Sequence, residues 1–245
     1  MRNRKLGVKG FKKDSRTLKL GKYLQALPPA PKSRSWFHGV SSFGEMLNDQ
    51  LGDCTIAACG HAVQIWSLNA SGTEITVPDS EIETIYEKWC GYVPGDPNTD
   101  NGGVELDVLG DWLHNGFAGH NLAAYASVNP ANLGEVRQAI NLFGGVYIGI
   151  NLPLSAQNQN IWYPVSGPDS VPGSWGGHAV FVPAYGSSGL TAISWGEPLS
   201  MTNGFWTEYV EEVYALLSPV FIRSNTEAPS GFNMAALEAD LATIT

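Results

Sequence analysis

Cys54 is the residue of this sequence best placed to act as a nucleophile. Small and apolar residues follow it at helical spacing, and Asp53 before it is a favourable N-cap, so Cys54 is predicted to lie in the first turn of a buried helix. The partial positive charge of a helix N-terminus favours a thiolate over a thiol. The alternative is that Cys54 is one more small buried hydrophobic residue, the usual state of a free cysteine.

A cysteine hydrolase also needs an imidazole that pairs with the thiol and carries protons. His178 is the candidate, because it follows a Gly-Gly pair and opens an apolar stretch. A structural histidine at the start of a strand is the alternative. His61 lies two turns from Cys54 along the same predicted helix, which is too far for it to act as the base. Of the remaining histidines, His38 lies in the segment that begins the body of the protein, and His114 and His120 flank a predicted helix end without a chemical neighbour.

The elements that must position these residues change in type along the chain. Helical periodicity predicts four helices in the first part, over residues 54 to about 70, 79 to about 90, 104–114 and 132–143. The later part predicts a buried strand at 146–150, a long loop at 155–177 and a hairpin of strands 178–185 and 190–195. Two further helices are predicted, at 205–217 and 234–244.

Several short motifs, taken in chain order, resemble those of the papain-like cysteine peptidases. The similarity spans roughly residues 27–200, and its specificity lies in the conjunction of the motifs. The motifs are Pro28 to Gly39 (start of the mature domain), Asn48 to Thr55 (oxyanion amide and nucleophile), Gly102-Gly103 before a helix, Gly145 to Ile150 (central strand), Gly177 to Val180 with Tyr185-Gly186 (histidine strand), and Ser194-Trp195-Gly196.

The resemblance implies an α+β, two-lobe papain-like fold. Its N-terminal helical lobe would carry the cysteine helix, and its mostly antiparallel β lobe would carry the histidine strand, with extra C-terminal helices in this chain. Cys54 would be the nucleophile and His178 the base and then the acid, with Trp195 shielding the imidazole. The backbone N–H of Cys54 would be one oxyanion donor. The substrate would be a peptide or protein.

Two positions depart from the family pattern. The family's oxyanion glutamine lies six residues before the cysteine, where this chain has Asn48, whereas Gln50 lies four before it. Either amide could be the donor. The family's histidine-orienting asparagine is replaced by Ile193, which cannot accept a hydrogen bond from imidazole. Ser194 or Glu197 could take over that role.

Basic residues are concentrated in an N-terminal arm, residues 1–34. The arm holds eleven of the fourteen Lys and Arg and one acid, a net +10, whereas residues 35–245 hold three basic residues against twenty-two acids, a net −19. Such an arm could bind nucleic acid, dock on its own acidic body or reach a neighbouring subunit. Docking, in cis or in trans, is favoured, because an acidic body repels phosphates. Nucleic acid is the weaker alternative.

The expected organisation is the arm with a Pro-rich connector, a papain-like domain at 35–220 and a C-terminal extension at 221–245. The domain divides into a helical lobe at about 35–143, a β lobe at about 144–200 and the helix at about 205–217. The 43% hydrophobic content describes a globular chain, without a signal peptide or a membrane-spanning run. Three sparse cysteines suggest neither a disulfide framework nor a zinc site, and no cofactor or metal is predicted.

Two functions from different classes remain open. The first is a cysteine hydrolase that cleaves peptide or amide bonds, from a divergent bacterial intracellular or phage-associated relative of the peptidases. The second is a non-catalytic assembly protein, of a virion or another homo-oligomer, that keeps the fold and uses the arm for subunit contacts. A cytoplasmic or virion location fits both.

Overall fold

The computed structural model describes residues 4–24, 29–224 and 234–241. Its strands are β1 (Arg34–Ser35), β2 (Ala124–Ser127), β3 (Val146–Leu152), β4 (Gly176–Tyr185), β5 (Gly189–Ser194), β6 (Glu197–Thr202) and β7 (Val210–Leu217). Its α-helices are α1 (Cys54–Ser71), α2 (Asp79–Cys90), α3 (Glu105–Asn115), α4 (Leu133–Phe143), α5 (Asn203–Tyr209), α6 (Pro219–Ser224) and α7 (Met234–Leu241). None of the helices in these ranges is both long and apolar enough to cross a membrane.

The described strands form one antiparallel sheet in the order β2-β7-β3-β4-β5-β6, and β1 pairs with β4. Because side chains alternate along a strand, each face of the sheet contributes to a different hydrophobic cluster. Val180 and Val182 of β4 lie in the first cluster, which includes α4. Ala179 and Phe181 lie in the second, which surrounds α1. This α+β arrangement confirms the predicted fold class.

Helix α1 is the central helix of the fold. Its residues from Cys54 to Ser67 are all buried, as expected of a helix whose residues are mostly small or apolar, and the buried His61 and Gln64 side chains are hydrogen-bonded to the carbonyls of Gly44 and Ser42. It packs on β4, and the Tyr147 hydroxyl on β3 donates a hydrogen bond to the Thr55 carbonyl at 3.0 Å. The helix ends at Gly72, whose φ of 73° is the left-handed conformation that glycine adopts readily. The predicted helix at this position is confirmed.

The predicted helix at 205–217 is wrong in its second half. Only Asn203–Tyr209 is helical, and Val210–Leu217 is a strand between β2 and β3. Its β-branched and aromatic residues suit a strand, and pairing on both sides satisfies the backbone of this buried segment. Helical spacing of the apolar residues misled the sequence-based assignment, because the neighbouring strands decided the conformation.

The ends of the predicted domain also differ from the structure. Helix α6 begins at Pro219, and Phe221 packs edge-on against Trp36 with ring centroids 5.1 Å apart. The fold therefore continues past residue 220. Strand β2 and helix α4 precede residue 144 but pack with the sheet, so the β lobe starts earlier than expected. Residues 27 and 28 of the Pro-rich connector, and 242–244 of the C-terminal helix, lie outside the described residues.

The N-terminal arm lies on the body of its own chain. Lys12 forms an ion pair with Asp107 on α3, and Lys22 pairs with Asp240 on α7 at 2.6 Å. Exposed pairs of this kind each contribute about 0–1 kcal/mol, so they do not anchor the arm by themselves. The stronger attachment comes from backbone hydrogen bonds of residues 5–9, which run through a cleft with the loops before α1 and α3 on one side and the start of β4 on the other.

Candidate active site

Cys54 is the first residue of α1, as predicted, and only 1% of its surface is exposed. Asp53 occupies the N-cap position, but its side chain does not cap the helix. The Asp53 carboxylate instead accepts a hydrogen bond from the Asn48 amide at 3.2 Å. Burial raises the pKa of the Cys54 thiol well above its ordinary value. The stabilisation of a thiolate expected from the helix N-terminus is therefore outweighed by desolvation in this structure.

His178 lies on β4, opposite Ile150 of β3, and is 1% exposed. Its Nε2 is 2.8 Å from the Ser194 hydroxyl, whereas its Nδ1 has no hydrogen-bond partner among the described residues. Burial, followed by the positive charge of Arg4, lowers the pKa of His178 to about 3. The imidazole is therefore neutral. Ser194 orients it through Nε2, and Nδ1 is left without a hydrogen bond to any described residue.

A tight turn between β5 and β6 places the ring that covers this imidazole. Ser194 and Glu197 are paired residues, and the two residues between them, Trp195 and Gly196, have φ values of 47° and 74°. Positive φ at both positions is the geometry of a type I′ hairpin turn. The Trp195 ring stacks on His178 with centroids 4.3 Å apart and planes 10° apart. Stacking and burial of this ring offset the strain of an aromatic residue at positive φ.

The structure brings Cys54 and the His178 segment together across the cleft. The backbone N–H of Ala179, the residue after His178, donates a hydrogen bond to Cys54 Sγ at 3.3 Å. The sulfur of α1 thus lies against the strand that carries the imidazole. Ser194 and Trp195 lie on the other side of that imidazole. Ile193 is buried in the core around α1 and makes no contact of this kind.

The two candidate oxyanion amides have different surroundings. Asn48 is 2% exposed, and its Nδ2 donates to the Leu51 carbonyl at 3.1 Å as well as to Asp53. Its amide is thus buried next to the start of α1. Gln50 is exposed, and its side-chain amide donates a hydrogen bond to its neighbour Asp49 at 3.5 Å. The site region therefore contains Asn48, and the Gln50 side chain is directed to solvent.

Residues 5–9 of the arm run through the cleft directly over Cys54. The N–H of Lys5 donates to the Asn48 carbonyl at 3.1 Å, and the N–H of Val8 donates to the Gly177 carbonyl at 3.2 Å. Gly103 donates to the Gly7 carbonyl at 2.7 Å and accepts from the N–H of Lys9 at 2.9 Å, in a parallel pairing. These hydrogen bonds join the arm to both walls of the cleft.

Glycine permits this close approach. A Cβ added at Gly7 would overlap the backbone carbonyl of Gly52, and one added at Gly102 would overlap the carbonyl of Gly7. A Cβ at Gly177 would lie 2.9 Å from the Val8 side chain. Sequence analysis identified Gly102 and Gly177 only through motifs and did not identify Gly7. The sequence feature that could have identified Gly7 is a glycine among the basic residues of the arm, together with the glycines of the cleft motifs.

The arm also closes the histidine side of the site. The indole N–H of Trp195 donates to the Lys5 carbonyl at 3.1 Å, and the Arg4 guanidinium lies 4.8 Å from the centre of the Trp195 ring. The backbone N–H of Gly7 donates toward the Cys54 sulfur and, with Ala179, opposes the effect of burial on the pKa of that thiol. The thiol and imidazole are therefore enclosed by the arm, and both are neutral.

The hydrogen bond from Ser194 to His178 makes a measurable contribution to stability. Ser194→Ala removes the hydrogen-bond partner that the buried Nε2 has among the described residues, so we expect the free energy of unfolding to fall by about 1–3 kcal/mol. Ser194→Thr keeps the hydroxyl and is the matched control. Urea denaturation measures both. A loss of equal size in the two variants would show that packing, not the hydrogen bond, accounts for the effect.

Within the described ranges, no three His, Cys, Asp or Glu side chains are grouped so that they could hold a metal ion. The cleft contains the Cys54 thiol, which lies against the strand that carries His178, and the His178 imidazole, whose Nδ1 has no hydrogen-bond partner among the described residues. Such a pair can transfer a proton and form a covalent bond to a carbonyl carbon once water or substrate replaces the arm.

No protein-family model and no curated protein matches the sequence. Solved structures match its fold. Xylellain, a cysteine protease from Xylella fastidiosa, superposes with a TM-score of 0.65 at 14% identity, over 89% of this chain and 98% of that one. Digestive procathepsin L 3 of Tenebrio molitor gives 0.59 at 14% identity, over 88% and 76% of the two chains. The Carica candamarcensis cysteine protease CMS1MS2, in complex with E-64, gives 0.54 at 16%, over 77% and 99%.

At these identities the likeness concerns the fold. It extends over 89% of this chain in the match to xylellain. The chain is a divergent protein with the papain-like fold of these cysteine proteases.

Proposed function

We propose that this protein is a papain-like cysteine hydrolase that cleaves peptide or amide bonds and is held inactive by its own N-terminal arm. The observation that carries the proposal is the state of His178. One ring nitrogen is fixed by Ser194, while the other is unoccupied in a cleft that also contains the Cys54 sulfur. A base that receives a proton from a neighbouring thiol needs this division between an orienting contact and a free acceptor.

The proposed reaction begins when the arm leaves and a substrate carbonyl takes its place. His178 Nδ1 accepts the thiol proton as Cys54 Sγ bonds to the carbonyl carbon, and the carbonyl π electrons move to oxygen. The Cys54 N–H, which has no acceptor within the helix at this first position, donates to that oxygen. The Asn48 amide is the candidate second donor, and it would exchange one of its two hydrogen bonds, to Leu51 or to Asp53, for a bond to the oxyanion. The C–N bond then breaks as His178 protonates the leaving amine. Water, deprotonated by His178, hydrolyses the thioester.

The contacts of the arm explain why the docked arm blocks this reaction. Gly7 directs an N–H toward the sulfur, whereas nucleophilic attack needs a carbonyl carbon there. The carbonyls of Lys5 and Gly7 are directed to Trp195 and Gly103. The arm therefore occupies the cleft as an inhibitor and excludes both water and substrate.

The same filled cleft favours a second candidate, a non-catalytic assembly protein. In that function the arm would be a permanent part of the fold or would exchange with the arm of another copy, and Ile193 in the family's orienting position would reflect lost catalysis. Light scattering at low and high salt tests it. A chain that stays monomeric and inactive in both conditions contradicts the assembly function, and a salt-sensitive oligomer supports it.

The reactivity of the three cysteines tests the proposed dyad. Gly7→Ala displaces the arm, and iodoacetamide followed by peptide mapping then gives the labelling rate of each thiol. We expect Cys54 to react faster than Cys59 and Cys90 near neutral pH, because only Cys54 gains a base on release of the arm. Adding His178→Ala should remove that advantage. An inert Cys54 in a folded, released chain would contradict the proposal.

A further inference from the structure

Arg137 carries a guanidinium group that has no acidic partner, although the body of the protein is strongly acidic. It is one of three basic residues in the range 35–245, which holds twenty-two acids. Its side chain is half-buried, and its Nε is shielded from solvent without a hydrogen-bond partner among the described residues. The ion pairs of the described residues involve Lys12, Arg16 and Lys22 instead. A partly buried charge without a partner is costly, so its retention calls for an explanation.

A second arginine lies at the same place. Arg34 of β1 pairs with Tyr185 of β4, and its Nε donates to the Asn141 side-chain oxygen at 2.7 Å. Asn141 lies about one turn after Arg137 on α4. Burial raises the pKa of the Tyr185 hydroxyl, and the charges of Arg34 and Arg137 oppose that rise. Two positive charges therefore surround one ring, without a compensating carboxylate in the described part of the chain.

Aromatic rings hold both guanidinium groups and leave their N–H donors available. Arg137 Cζ lies 5.9 Å from the centre of the Tyr185 ring, and Arg34 Cζ lies 4.9 Å from the centre of the Trp36 ring. The face of a ring attracts a cation but does not use the directional N–H groups of a guanidinium. The Tyr185 hydroxyl is itself directed to the Pro31 carbonyl, at 3.1 Å. The two arginines are thus positioned by their rings and can still donate to an acceptor.

We infer that Arg34 and Arg137, beside Tyr185, bind the phosphate group of a small molecule. A phosphate monoester carries up to two negative charges near neutral pH and has three acceptor oxygens. Two guanidinium groups from different elements match that charge and those oxygens, whereas a carboxylate is matched by a single guanidinium. The acidic body repels a polyanion such as nucleic acid, so a ligand with one phosphate group is favoured.

The arginine cluster lies far from the candidate active site. His178 and Tyr185 are near opposite ends of β4, seven residues apart, which corresponds to about 23 Å along a strand. Binding of phosphate there needs neither the Cys54 thiol nor release of the arm. The inference therefore does not rest on the proposed hydrolase.

Isothermal titration of the full chain with inorganic phosphate, near neutral pH and at constant ionic strength, tests the cluster. We expect Arg137→Gln to weaken binding about tenfold or more, because charge-assisted hydrogen bonds are lost. Arg137→Lys keeps the charge without the planar fork and should bind with intermediate affinity. Lys88→Gln removes an exposed positive charge from α2 and is the control for net charge. Acetate should bind at least about tenfold more weakly than phosphate.

Phosphate binding that Arg137→Gln leaves within twofold of the unaltered chain would overturn the inference. An equal loss in Lys88→Gln would also overturn it, because the net charge would then account for binding. Acetate that binds as tightly as phosphate would contradict the assignment to phosphate. Phosphate binding together with an inert Cys54 in the released chain would contradict the proposed hydrolase and leave the cluster in place.

The thermal stability of Arg137→Gln separates a binding role from a structural one. In buffer without phosphate, the variant should melt at the temperature of the unaltered chain or higher, because it removes one of two like charges around Tyr185. In excess phosphate the unaltered chain should gain a few degrees and the variant should gain nothing. A variant that is destabilised equally in both buffers would show that Arg137 only stabilises the fold, and would overturn the inference.

Discussion

Gly7→Ala should convert the protected thiol of Cys54 into a reactive one. The added Cβ would overlap the Gly52 carbonyl, and both partners are backbone atoms that cannot rotate away. Overpacking of this kind costs about 1–3 kcal/mol. If the free energy of docking the arm becomes less favourable by this amount, a larger fraction of chains has the arm released. We therefore expect labelling of Cys54 by iodoacetamide to become about tenfold to a hundredfold faster. Intact-mass spectrometry over time measures the rate.

Gly186→Ala is the matched control. It makes the same chemical change in the turn between β4 and β5, where an added Cβ meets no atom within 4 Å. Its labelling rate should equal that of the unaltered chain. If Gly7→Ala leaves Cys54 as protected as Gly186→Ala does, and both variants are folded, the hydrogen bonds of the arm are not what encloses the thiol.

Cys54→Ser in the released Gly7→Ala chain should lower hydrolysis of fluorescein-labelled casein by about 10⁴-fold or more. Nucleophile and base act as a unit, so removal of the nucleophile leaves only the contribution of binding and oxyanion stabilisation. A serine hydroxyl has a much higher pKa than a thiol, and the neutral imidazole of His178 is poorly suited to deprotonate it. The increase in fluorescence as casein is cut measures the rate.

Cys59→Ser is the control, because Cys59 lies further along α1 and donates only to the Thr55 carbonyl, at 3.2 Å. This variant should keep the rate of the released chain. Casein hydrolysis that survives Cys54→Ser would assign the activity to other residues. A released chain that cuts nothing while Cys54 is readily alkylated would favour the assembly function.

The local sequence around Cys54 predicted its structure well. The fourteen successive residues from Cys54 to Ser67, most of them small or apolar, are buried in one helix, and the helix begins and ends where the sequence indicates. The hairpin of β4 and β5 was equally readable, because the chemistry of the turn between them is local, whereas the turn at Trp195 and Gly196 and the strand β6 after it were not predicted. Short-range patterns of this kind depend on neighbouring residues alone.

The second half of the predicted 205–217 helix shows where local patterns fail. Val210–Leu217 becomes a strand because β2 and β3 offer hydrogen bonds on both sides. The expectation that Cys54 is a thiolate fails for a similar reason. Helix position favours a thiolate, but burial under the arm raises the pKa of the thiol by a larger amount. Both outcomes depend on segments far away in the chain.

The sequence by itself determined the identity of the candidate nucleophile and base, the order of the elements that carry them, and the separation of charge between the arm and the body. The tertiary structure alone decided that Ser194 orients His178 and that Gly7 lies over Cys54. The physical reason is distance along the chain. Spacing and composition describe residues within a few turns of one another, whereas a cleft is formed by backbone segments whose approach depends on the packing of the whole fold.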